Sequence, residues 1–155
     1  MNLFIKKLVK EGKIKLTEPS DEVSESYLQK SEKSLISSKT LLSIENFDDA
    51  TALTYYSMYY SVLSLLYKCG IKSENHTATL ILLNELFEIN NSKIITAKKE
   101  RVDKQYYVDF NATKDEVKEG IEIAEEFNAE MLELIHNIKK TDMELIIEKF
   151  KEIYF

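Results

Sequence analysis

Apolar and polar residues alternate along this chain with the period of helices rather than strands. Asn2 to Glu11 carries Leu3, Ile5 and Leu8, which predicts a short helix ended near Gly12 and followed by Lys13-Ile-Lys-Leu16. Pro19-Ser20-Asp21-Glu22 reads as a start signal, with Ser20 as N-cap and two acids in the positively polarised first turn. A long helix from about Asp21 to Ile44 follows, with Tyr27, Leu28, Leu35, Ile36 and Leu42 as its predicted apolar stripe. Asn46-Phe47-Asp48-Asp49 breaks the pattern. Ala50 to Tyr67 is then apolar on nearly every side, and a helix of that kind has to be central. Gly70 is placed to end it, with Lys68 near its negative end.

Further along, Glu74-Asn75-His76-Thr77 opens a helix through Leu80, Leu83 and Phe87, and Ser92 opens another that carries Ile94, Ile95 and Arg101. Thr113-Lys-Asp-Glu116 and Thr141-Asp-Met-Glu144 both have the spacing of a capping box. The first helix should run to about Asn137 with Val117, Ile121, Ala124, Met131, Leu132 and Ile135 inward. The second carries Leu145, Ile146, Phe150 and Ile153. The fold class expected is therefore all-α: an up-and-down bundle of four to five helices with short flanking helices at both ends. Residues 1–155 are read as one domain, with an N-terminal extension over 1–20, a core bundle over 21–139 and a C-terminal helix over 141–155.

Composition fits this outline. A chain of 155 residues can bury roughly two-thirds of its unfolded surface. Three glycines and one proline are too few turn residues for a β-rich fold. The single cysteine, Cys69, excludes an internal disulfide, and two histidines without acids at a regular spacing give no zinc pattern. No metal or cofactor is expected. No apolar run reaches the length of a membrane span and the first residues are too short for a signal peptide, so the expected location is the cytoplasm, where the sequon at Asn75 is idle. A net charge of −6 argues against a broad cationic surface and leaves only a local site for nucleic acid.

Candidate chemistry is concentrated in three places. Tyr55-Tyr56-Ser57-Met58-Tyr59-Tyr60 packs four tyrosines into two turns, so that Tyr56 and Tyr60 share one face and Tyr55 and Tyr59 another. Core packing explains one phenol-lined face; two suggest that one lines a polar cleft or a subunit interface. Arg101 is the single arginine among 21 basic side chains, and a guanidinium used against that bias toward lysine suits a phosphate. The alternative is a surface ion pair with Glu100 or Asp103. His76 lies at a helix start, where the dipole favours neutral imidazole, and either caps the helix or reaches the cleft. His136 stands among surface acids.

These motifs, from Asn46-Phe47-Asp48-Asp49-Ala50 through Tyr55-Tyr56-Ser57-Met58-Tyr59, Gly70, Lys72 and His76 to Arg101 and Tyr106, resemble the HEPN family. The likeness is to its small archaeal and bacterial members with a Tyr-Tyr-x-Met-aromatic helix, and it covers most of the chain. The resemblance implies a helical bundle that dimerises around a cleft, with an Arg, four to six residues and a His at its base. In active members those residues are associated with metal-independent RNA cleavage through the ribose 2′-hydroxyl. Many members are toxins paired with a minimal nucleotidyltransferase. Here the His position is Tyr106, and a phenol with a pKa of about 10 is a poor general base near neutral pH.

Three functions follow from this reading. One is a nucleotide- or RNA-binding homodimer in a toxin-antitoxin or defence pair with a nucleotidyltransferase, in which Arg101 holds phosphate and Tyr56, Tyr60 and Tyr106 line the cleft. Another is an endoribonuclease with Arg101 and His76 as catalytic groups. The last is a non-catalytic interaction module whose acidic surface docks a basic partner.

Overall fold

The computed structural model describes residues 2–108 and 111–155. Its elements follow in the order α1 (Leu3–Lys10), β1 (Ile14–Leu16), α2 (Asp21–Ser43), α3 (Phe47–Cys69), β2 (Ile71–Ser73), α4 (His76–Phe87), α5 (Ser92–Tyr106), α6 (Lys114–Asn137) and α7 (Lys140–Tyr154). The fold is all-α, with one two-stranded sheet as its only extended pairing among the described residues.

Helix α3 is the axis. Fourteen of its residues are buried, including Ala50, Tyr55, Met58, Val62 and Leu66, as an all-round apolar sequence requires. Helices α2, α5 and α6 surround it. Side-chain pairs show the directions: Ser24 meets Ser64 and Ser38 meets Thr54, so α2 runs antiparallel to α3. Lys93 meets Glu126 and Lys104 meets Glu116, so α5 and α6 are also antiparallel.

The seam between α2 and α3 is made of small polar residues rather than the leucine stripe expected. Ser24, Ser31 and Ser38 are the buried residues of α2, seven apart, while Ile36 is 56% exposed. Across the seam, the Ser24 hydroxyl lies 2.8 Å from that of Ser64, Ser31 donates to the Ser57 carbonyl at 2.6 Å, and Ser38 donates to the Ala50 carbonyl at 2.8 Å. Of the expected stripe, Tyr27, Leu28, Leu35 and Leu42 do pack against the core and Ile36 alone faces outward; between them, small side chains let two backbones approach until the hydroxyls of one reach the carbonyls of the other. Tyr27, Leu28 and Leu35 flank the seam, half-buried.

Other boundaries shift for local reasons. Ser20 caps α2 as predicted, its Oγ accepting from the Val23 amide at 3.1 Å. Thr113 caps α6 at 3.2 Å, but Glu116 returns to the Thr113 hydroxyl rather than to its backbone. The box expected at Thr141 does not form: α7 starts at Lys140, and Asp142 accepts from the Lys139 amide at 2.9 Å. On α6 and α7, Leu132 and Leu145 face outward, and the buried positions include Phe127 and Tyr154 in addition to those predicted. Tyr154 donates to Glu85, which also accepts from Asn2, so both ends of the chain fasten to α4.

The segment Lys13–Leu16, which periodicity did not assign, pairs as β1 with β2: Ile14 stands opposite Ser73 and Leu16 opposite Ile71. The connection is tight at Gly70, which ends α3 at φ +84°, accepts from the Thr17 amide at 2.8 Å, and has no room for a side chain because a Cβ would stand 2.5 Å from the Thr17 oxygen. Gly12 shares the left-handed backbone (φ +72°) but has open space around it. Gly12→Ala therefore carries only the backbone cost, about 1–2 kcal/mol. Gly70→Ala adds the clash, for a total of about 2–5 kcal/mol. Denaturant midpoints of the two variants check this, and equal losses would refute the close approach at Gly70.

Candidate functional site

On one side of α3, four tyrosines meet α4 and α5. The i, i+4 spacing sends Tyr55 and Tyr59 inward, both buried, and leaves Tyr56 and Tyr60 half-buried on the adjoining face. Each pair stacks, Tyr55 on Tyr59 at 5.9 Å between ring centroids and Tyr56 on Tyr60 at 6.0 Å.

Helix α4 delivers His76 to the inner pair. Asn75 caps that helix, its Oδ1 accepting from the Ala78 amide at 2.9 Å, which sets His76 at the first helical position. The imidazole lies flat on Tyr59, with centroids 4.0 Å apart and planes 10° from parallel, and its Nδ1 is 2.9 Å from the Tyr55 hydroxyl. Burial first, then the nearby Arg101 and Lys98 charges, hold its pKa below the ordinary value of 6.5. The positive end of α4 acts in the same direction. Burial also raises the Tyr55 pKa, so this phenol stays protonated. It either donates to Nδ1 of an imidazole protonated on Nε2, or accepts from Nδ1–H and leaves Nε2 as the free base.

Helix α5 delivers the guanidinium. Ile94 anchors that helix in the core, and Asn91 donates to the Leu80 carbonyl at 2.8 Å. Lys98 and Arg101 then share a face three residues apart. Lys98 donates to the Thr77 hydroxyl at 2.8 Å. The Arg101 carbon Cζ stands 5.3 Å from the Tyr55 ring and 5.4 Å from the Tyr56 ring, within cation–π range, and Nη1 donates to the Tyr56 hydroxyl at 3.1 Å.

Two facts set Arg101 apart. It forms no ion pair among the described residues: Glu100 approaches Lys104, and Asp103 stays clear of it. Its Nε is buried without a hydrogen-bond partner, the one side-chain donor or acceptor of the described residues so placed. A buried cationic donor without a partner is costly, and an anion would relieve that cost.

Of the residues singled out from the sequence, the structure brings Arg101, Tyr56 and His76 together around Tyr55, with Tyr60 one turn along. Tyr106 is not in this cluster; it ends α5 with 65% of its surface exposed. Among the described residues, no three His, Cys, Asp or Glu side chains gather as metal ligands. Cys69 is buried, and burial pushes its thiol up to about 12, which leaves it unreactive. His136 is exposed.

Sequence reasoning placed Tyr27 of α2 in an apolar stripe and Tyr67 in the apolar run of α3, but assigned neither to the site. Tyr27 stacks on Tyr60 at 6.0 Å and on Tyr67 at 5.3 Å, which extends the half-buried pair into a row of four rings. The signal lay in the heptad serines, because the register that puts Ser31 against Ser57 also puts Tyr27 beside Tyr60. A separate cavity of about 240 Å³ lies between α3, α5 and α6, lined by Thr54, Met58, Ala97, Val117 and Ile123, with Lys93 and Glu100 also on its wall.

A family model described as HEPN domain matches residues 24–153. No curated protein and no solved structure matches the chain.

The His76 shift has a testable sign. The folded chain resists protonating this ring more than the unfolded chain does, so its contribution to stability is complete above about pH 6.5 and is lost as pH falls through the lower folded value. An NMR titration of the His76 ring should give a midpoint below 6.5, and His76→Gln should flatten the fall of stability on the acid side. A midpoint at or above the ordinary value would contradict the packing described for the ring.

Proposed function

The chain belongs to the HEPN domain family, and on that footing we propose that it binds a nucleotide or RNA phosphate at Arg101. The observation that carries this is the guanidinium itself, half-buried among phenols with an unpaired Nε and no carboxylate partner. A phosphate accepts two parallel N–H bonds from one edge of a guanidinium, which lysine cannot match. Tyr56 and Tyr60 would meet the base or ribose beside it. Lys98 adds charge from the same face of α5.

The wider setting belongs to the same proposal: a cytoplasmic homodimer, of the branch with a Tyr-Tyr-x-Met-aromatic helix, working in a toxin-antitoxin or defence pair with a minimal nucleotidyltransferase. Tyr106 and Val108, both strongly exposed at the end of α5, supply apolar surface for a second copy to cover. In that dimer Tyr106 would line the mouth of the cleft rather than its floor. None of the described helices is long and apolar enough to cross a membrane.

A second reading has one observation in its favour, since His76 and Arg101 flank the same two tyrosines. In it, a neutral imidazole removes the proton of a ribose 2′-hydroxyl, that oxygen attacks phosphorus, the 5′-oxygen leaves, and Arg101 stabilises the charge that develops on the phosphoryl oxygens. This route requires the tautomer in which Nδ1–H donates to the Tyr55 oxygen and Nε2 is left to take the proton.

Both readings are checked with purified protein, its mass set by light scattering, incubated with structured RNA in EDTA as wild type, Arg101→Ala and His76→Ala. Binding without cleavage, weakened by about tenfold or more in Arg101→Ala and little changed in His76→Ala, is the expected result. The slope of log affinity against log salt should fall by about one in that variant. Cleavage lost in both variants would replace it with the nuclease reading. Neither binding nor cleavage would leave a protein-docking role.

A further inference from the structure

We infer that the site at Arg101 continues along α3 and α2 as a hydroxyl-lined track for a single strand of RNA, in which Tyr60, Tyr27, Tyr67 and Lys30 hold the nucleotides beyond the first. The inference rests on the reading of Arg101 as a phosphate anchor and names the ligand of that same site.

The geometry is a row. From Tyr56, which takes the Arg101 hydrogen bond, successive rings follow at 6.0, 6.0 and 5.3 Å, with planes tilted by 26°, 26° and 18°. All four are half-buried. Rings stacked face to face cover one another's faces and turn their edges outward. A base can stack only on an uncovered face, so what the row has for a strand is ring edges and phenol hydroxyls, of which that of Tyr56 also accepts from Arg101 and those of Tyr27 and Tyr67 also meet each other. A phenol hydroxyl both donates and accepts, as does a ribose 2′-hydroxyl. DNA lacks that group, which makes RNA the better match.

The charges agree. Lys30 is exposed, with Nζ 5.5 Å from the Tyr27 ring and 5.6 Å from the Tyr60 ring, so it stands over the middle of the row where a following phosphate would lie. Lys72 lies near the far end and is already paired with Glu74 at 3.0 Å, which leaves Lys30 as the main cation there. Burial raises the pKa values of Tyr27 and Tyr60, so both remain neutral donors beside an anionic strand. A row four rings long is also more than a single nucleotide anchored at Arg101 can use.

The test measures binding of UMP, oligouridylates of increasing length and their deoxy counterparts to the full chain. Wild type should bind the longer oligouridylates about tenfold or more tighter than UMP, and tighter than the deoxy strands. The triple variant Tyr27→Phe, Tyr67→Phe, Lys30→Gln should lose that length dependence. Tyr→Phe keeps the ring in place, and Lys30→Gln alone, at an exposed position, should weaken the longest strand about threefold and lower its salt slope if the triple variant unfolds. Length dependence that survives these changes, equal affinity for RNA and DNA, or equally good competition by an acidic peptide would overturn the track while leaving Arg101 as an anchor. Binding of UMP and oligomers that ignores Arg101→Ala would instead overturn the anchor itself.

Discussion

The structure depends on one constraint: a helix buried on almost every side still carries hydroxyls and backbone carbonyls that need partners. Helix α3 meets it through the serine seam with α2, where Ser31 and Ser38 reach carbonyls and Ser24 reaches a hydroxyl. Each such bond contributes only about 1 kcal/mol net, yet leaving the groups buried and unpaired would cost more than that apiece. Because the seam uses small side chains, α2 sits close enough for its own tyrosine to join those of α3.

The crowding of tyrosines follows from that closeness. A phenol is large enough to seal the edge of a seam between helices, and the half-buried row runs beside the one between α2 and α3. Against this wall α5 sets a guanidinium and α4 an imidazole. The wall offers the cation ring faces and one hydroxyl, but no negative charge. The chain carries a net charge of −6, so this cationic group is set in a net anionic molecule.

Much of this was legible in the sequence. The order of the helices, the central position of α3, the caps at Ser20 and Thr113 and the stop at Gly70 all rest on local chemistry, which a sequence displays directly. Composition singled out Arg101, a lone arginine among lysines, whereas its grouping with the tyrosines came from the family resemblance. What escaped notice depends on how close two helices come. Periodicity ranks residues by hydrophobicity and so picked Ile36 as inward over Ser31 and Ser38, whereas the separation of the helices chose the smaller side chains. Tyr27 was read as inward, but its stacking with Tyr60 and Tyr67 depends on the same separation, and the pairing of residues 14–16 with 71–73 is announced by no short-range pattern.

That strand pair reaches beyond the roughly 10 Å it spans. Strand β2 is the entire link between Gly70, where α3 stops, and Asn75, which caps α4 and so seats His76. Its partner strand lies in residues 14–16, upstream of the stretch 24–153 that the family pattern covers. The strand that braces the approach to His76 thus comes from outside the residues by which the kinship is recognised.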